Sequence, residues 1–245
     1  MGLVIFAGGA VGLILQRLLP ETFTSGGPRD MIGAVVGLLT LLSALVLGLL
    51  IWTAYGVFAG QNVAIQTLAA KVLQLDLALA EFGPETQVVR VEMKQMLERI
   101  RAMLWGNAGA DSASELSTAA PIEHLRMLDL YIASLDPKTP AQKQFAAAAA
   151  ADAGVIEQTR VLISMQLASS ISWPLVIIVV SWALILFCGF GLLSRINGTT
   201  LAALAFGAFA VGSALFMILE LSHPFTGVFR VPSGAFDQML ELIAK

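Results

Sequence analysis

Apolar and polar positions along this chain are sorted into long blocks. Four apolar blocks, at roughly residues 3–19, 32–58, 173–193 and 199–219, form two pairs at the two ends, and a long charged segment separates the pairs. Each block is about long enough to cross a bilayer as a helix, which takes about 20 apolar residues. The pattern predicts an all-α integral membrane protein with four transmembrane helices and a helical-bundle domain between spans two and three. By residue, 1–58 carry the first two spans, 59–172 a solvent-exposed helical domain, 173–219 spans three and four, and 220–245 an interfacial C-terminal tail.

Within the charged segment the period changes. Leu68, Val72, Leu75, Leu79 and Phe82 recur at spacings of four and three, with Lys71, Asp76 and Glu81 on other faces. This predicts that the second span continues as one helix beyond the membrane and buries a single stripe there. Gly83-Pro84 suits a helix stop followed by a helix start. Val89, Met93, Met96, Ile100 and Leu104 then mark a second striped helix, surrounded by charges that include Arg90. A Gly/Ala/Ser-rich stretch from Gly106 to Ala120 reads as a mobile loop. A third helix is expected over about 121–135, and Thr139-Pro140-Ala141-Gln142 forms a capping box that opens an alanine-rich helix running to about Ser170. Trp173 and Pro174 mark the return to the membrane. The last stretch, Phe236 to Ile243, suits a short surface helix.

The first block, LVIFAGGAVGLIL, has no basic residue ahead of it. Gln16, Arg17 and Pro20 stand where a small-residue cleavage site would be needed, so it reads as a retained span with Arg17 reaching for the headgroups. Four spans place both ends and the helical domain on one side. Basic residues tie at three each, with Arg17, Arg29 and Arg195 near the short turns and Lys71, Arg160 and Arg230 near the other side. The positive C-terminal end of the first span tips the expectation to a multi-pass inner-membrane protein with its helical domain on the non-cytoplasmic side.

Charged residues make up 13% of the chain, against about a quarter in an average globular protein. The deficit lies in the four blocks, so the charge is segregated. The net charge is −3 and no long basic run occurs, which argues against a nucleic-acid partner. Cys188 is the single cysteine and cannot form an internal disulfide. Metal-spaced His/Cys/Asp clusters, a GxSxG elbow and a phosphate loop are all missing from the sequence. The sequence therefore points to no enzyme, no catalytic residue, no metal and no cofactor.

Small and polar residues supply the candidates. Gly8-x-x-x-Gly12 in span one and Gly33-x-x-x-Gly37 in span two, the latter continued by Thr40, Ala44 and Gly48, are faces on which helix backbones approach closely in lipid. Packing within one four-helix unit is the commoner use of such faces, ahead of a subunit interface or pore lining. Thr40, Ser43, Thr53 and Ser181 are candidates for a wet path, although membrane hydroxyls usually bond their own i−4 carbonyl. Gln61 and Asn62 stand where span two leaves lipid, as a polar vestibule or simply a solvated face. Glu220, His223 and Arg230 flank the end of span four as interfacial anchors or lining charges: a Glu220 ring would favour cations, and Arg230 or His223 rings anions.

The second span with its extension, ending in the Phe82-Gly83-Pro84-Glu85 turn, resembles the bestrophin-like membrane proteins, whose domain carries an unknown-function label. The segment from Ser169 to Gly234, with ILELSHPFTGVFRV at residues 218–231, is similar to the same family's second half. The resemblance covers most of the chain in order. The family commonly has Asp before the Pro-Phe of that motif, where this chain has Ser222-His223, so a role for that acid does not carry over. The resemblance implies four spans, a distant relation to pentameric anion channels, and no catalytic residues. Two functions are expected to compete: a homo-oligomeric, hydrophobically gated ion channel in the lipid bilayer, and a non-conducting scaffold or accessory subunit docked on a partner in a larger membrane complex.

Overall fold

A computed structural model describes residues 1–20, 26–106, 120–168, 173–222 and 228–243, and side chains are described for all of these except 120–126, 166–168 and 173. The described residues are helical, with no strand among them. In chain order the helices are α1 (Gly2–Leu18), α2 (Gly27–Phe82), a 3-10 turn (Pro84–Thr86), α3 (Gln87–Trp105), α4 (Ala120–Ser134), α5 (Pro140–Ala168), α6 (Trp173–Leu193), α7 (Gly198–Leu221) and α8 (Gly234–Leu242). Three of them, α2, α6 and α7, are long and apolar enough to cross a membrane, and α1 is a shorter apolar helix. The loop expected between residues 106 and 120 lies almost wholly outside the described residues.

The chain divides into two compact units. The first comprises residues 1–56 and 171–222. Its packing rests on glycine. A Cβ on Gly8 would stand 2.9 Å from the Leu184 carbonyl oxygen, and one on Gly12 would overlap the Cys188 carbonyl. Gly191 of α6 faces back onto the Gly9 carbonyl in the same way. The backbones of α1 and α6 thus meet with almost no side chain between them, the arrangement that lets dispersion and weak polar contacts hold helices in lipid. At the turn into α7, the Asn197 side chain accepts from the Thr200 amide at 2.7 Å, so the helix start is capped. The outer faces of this unit carry Leu41, Trp52, Phe206 and Phe209, each more than 70% exposed, which is the expected surface for a protein whose solvent is lipid.

The second unit comprises residues 57–170 and 223–245. Its core is the stripe Val72, Leu75, Leu79 of α2, packed with Met93 and Leu97 of α3, Leu128 and Ile132 of α4, and Ala149, Ala153 and Ile156 of α5. Phe236 and Met239 of α8, with Ile243 just beyond it, complete that core, at 0–2% exposure. The sequence suggested a short surface helix here. Instead the tail is fastened: Trp105 Nε1 donates to the Val231 carbonyl at 2.8 Å, Lys94 Nζ to the Ile243 carbonyl at 3.1 Å, and Arg101 pairs with Asp237. Gln142 fills its capping role, accepting from the Lys138 and Thr139 amides while donating to the Phe82 carbonyl.

The main departure from the periodic reading is the pair Asp76 and Arg90. Both were expected on solvated faces, yet Asp76 is 1% and Arg90 7% exposed. The reason is mutual neutralisation. Arg90 Nε and Nη2 each donate to one Asp76 carboxylate oxygen at 2.8 Å, and Arg90 Nη1 donates to Gln87 Oε1 at 3.1 Å. Close by, Gly83 has φ 149°, a backbone conformation that excludes most side-chain-bearing residues, and Thr86 Oγ1 donates to the Leu79 and Gly83 carbonyls.

Candidate functional site: the faces and flanks of α2

The two glycine motifs play different parts. Gly8 and Gly12 are buried against α6. Among the described residues, no atom beyond the local helix backbone lies within 4 Å of a Cβ added at Gly33, Gly37 or Gly48 of α2. They lie on one side of α2 with Ala44 between them, and the 3.6-residue period continues that side through Tyr55 to Asn62 and Gln66. The bulky exposed residues Leu38, Leu41, Leu45 and Trp52 occupy the remaining exposed surface. Of the apolar window of α2 only 11% is buried, against 33% for α6 and 28% for α7.

The hydroxyls are mostly self-satisfied. Thr40 donates to the Val36 carbonyl, Thr53 to Leu49 and Ser181 to Ile177, each on its own helix. Ser43 is the exception: it is buried, and its Oγ has no hydrogen-bond partner. Where α2 enters the second unit, Gln61 is fully buried and Asn62 half-buried. Glu220, at the end of α7, is half-buried and Arg230 is exposed. His223 lies outside the described residues.

Within the first unit the small-residue candidates fall in two settings. Gly8 and Gly12 belong to a helix–helix contact, and Gly33, Gly37, Thr40 and Gly48 to an uncovered helix face. Among the described residues no group of three or more His, Cys, Asp or Glu side chains could hold a metal ion. Sequence reasoning passed over Arg160. It entered only as a flanking basic residue, but its place four residues after Ile156 sets it on the inward row of α5.

Arg90, Asp129 and Asp237, all in the second unit, have ionisation shifted by their surroundings. The hydrogen bond to Asp76 holds the Arg90 guanidinium above its ordinary pKa, against the opposing effect of burial. The Arg101 hydrogen bond, with a second from Ser233, lowers the Asp237 carboxyl. Burial, and then the charge of Glu157, raises Asp129.

A family model described as a Bestrophin-like domain matches residues 3–236. Two solved structures share the fold, one of a bacterial bestrophin homologue from Klebsiella pneumoniae and one of a single-substitution variant of it. Each is 13% identical, covers 98% of this chain and 95% of its own, and superposes with a TM-score of 0.68 or 0.67 respectively. No curated protein matches the chain.

Proposed function

The chain belongs to the bestrophin-like family, and from that premise we propose that it is a homo-oligomeric ion channel of a cell membrane, with α2 beside the conducting path. The observation that carries this reading is the uncovered small-residue side of α2. A helix that only faces lipid gains nothing from glycine, which costs about 1 kcal/mol per residue relative to alanine in a helix interior. A helix that seats a neighbouring copy gains close backbone approach from the same residues. Gly33, Gly37 and Gly48 have that form, and a Cβ added at any of them would meet no packed neighbour among the described residues.

On this reading the apolar half of α2 supplies a constriction that gates by dewetting, and Asn62 and Gln66 give the polar positions just beyond it. The resemblance to pentameric anion channels supports the oligomeric arrangement. Glu220, His223 and Arg230 then flank the path as the charges that tune ion choice. The test is flux through purified protein in liposomes, with chloride and potassium offered separately. Passage of either, together with a ring of copies in particle images, supports the channel. Liposomes impermeable to both ions at every voltage refute it.

A second reading has its own observation. Met127, Leu130, Leu162 and Met165 on the second unit are 51–65% exposed, an apolar surface that a non-conducting accessory subunit would place against a partner. A single copy co-purifying with a stoichiometric partner supports that reading over the channel.

A further inference from the structure

We propose that the end of the second unit where α2 enters it is a docking surface for anionic phospholipid of the surrounding leaflet, with Arg230 meeting the phosphate. The small apolar cluster of Ile65, Leu104 and Val231 marks that end, and Phe58 packs against it. Phe58 is also where the apolar run of α2 stops. Ile65 lies seven residues further on, about 10 Å along the helix axis. A headgroup layer is about 5–8 Å deep, so the cluster stands at its outer edge. Exposed apolar side chains neighbour each cluster member in sequence. Val63 comes two before Ile65, Met103 directly before Leu104, and Val228 and Phe229 just ahead of Val231. Val228 is 77% exposed.

Charge at this end has one sign. Residues 57–70 of α2 carry none, residues 99–105 of α3 only Arg99 and Arg101, residues 158–168 of α5 only Arg160, and residues 228–236 only Arg230. No carboxylate falls in these four stretches, whereas the exposed Glu81 and Glu85 stand at the opposite end of α2. Arg101 is held by Asp237, while Arg99 and Arg230 are exposed. Water imposes no such sorting of sign. An anionic headgroup layer matches it: apolar side chains leave water there, and a guanidinium gives phosphate paired donors. The segment that presents Arg230 is also fixed in place. Val231 is buried, and its carbonyl accepts from Trp105 Nε1 at 2.8 Å, so Phe229 and Arg230 start from a pinned point. The inference needs only a membrane location and stands or falls apart from conduction.

The experiment uses the full chain with Cys188→Ala, which removes the single cysteine, and with Val228→Cys carrying a bimane fluorophore. This parent is reconstituted in phosphatidylcholine vesicles that contain nitroxide-labelled phosphatidylglycerol or, at the same fraction, nitroxide-labelled phosphatidylcholine. At low salt the labelled phosphatidylglycerol quenches roughly fivefold more effectively, the enrichment expected of one arginine at an anionic surface. Arg230→Gln removes most of that preference. Arg230→Lys retains most of it, because the charge remains, and serves if the Gln variant fails to fold. A bimane on Glu81→Cys, at the opposite end of α2, is quenched by neither lipid. Equal quenching by the two lipids in the parent overturns the proposal, as does an undiminished preference in Arg230→Gln. An unquenched bimane at position 228 also overturns it: water covers the surface if iodide reaches the probe, and a second copy covers it if iodide does not.

Discussion

Replacing Arg90 by Met puts the main departure from the periodic pattern to the test. The substitution keeps most of the side chain's bulk and removes the guanidinium, leaving the Asp76 carboxylate 1% exposed and stripped of both Arg90 donors, each at 2.8 Å. Removing one partner of a buried ion pair costs about 3–5 kcal/mol, because the remaining charge loses its compensation. At about 2–4 °C per kcal/mol for a domain of this size, the unfolding midpoint should fall by roughly 6–20 °C. The double variant Asp76→Leu/Arg90→Met removes both charges and should recover most of the loss, since apolar replacements of such pairs are often neutral or stabilising. The assay is thermal unfolding of the full chain in detergent, followed by circular dichroism. An Arg90→Met midpoint within about 2 °C of the parent refutes the reasoning. A double variant no better than the single one refutes it equally.

Two further outcomes follow from the packing and the tail. Gly12→Val should cost at least about 1–3 kcal/mol by overpacking, because the new Cβ overlaps the Cys188 carbonyl; a melting curve unchanged from the parent would contradict the close approach of α1 and α6. Asp237 has a folded pKa lowered beneath its ordinary 3.8, so its contribution to holding α8 is present above that value and is lost as pH falls through the lower folded one. With the other tryptophans replaced by Phe, Trp105 emission should report release of α8 upon acidification, because its ring lies 5.5 Å from that of Phe236. Asp237→Asn should flatten the profile, and an identical acid transition in that variant would show that another group governs it.

Periodicity carried the helices well where burial is one-sided. The spacing of Leu68, Val72, Leu75, Leu79 and Phe82 marks a buried stripe; the last four are buried, and Leu68 is half-buried against the same core. It failed where two charges cancel, since a spacing rule cannot see that Asp76 and Arg90, fourteen residues apart on different helices, meet as a bidentate pair. It also missed Leu97, buried beside Met93, because the four-three stripe was drawn through Met96. Glycine motifs were visible in both α1 and α2, but composition cannot tell a face packed within the chain from one left open. That distinction needed the positions of Leu184 and Cys188. The C-terminal helix was legible as a helix, while its fastening depends on Lys94, Arg101 and Trp105, which no local pattern connects to it.

The meeting of Gly12 with Cys188 has a consequence for biosynthesis. The two halves of that contact are separated by 176 positions of chain. At about 5–20 residues per second the ribosome needs roughly 10–35 s to deliver the second half after the first. For that interval the grooved surface of α1 lacks the α6 backbone that it packs against. A cell that clears unassembled membrane segments quickly would therefore have that interval in which to act on the chain, before α6 reaches α1.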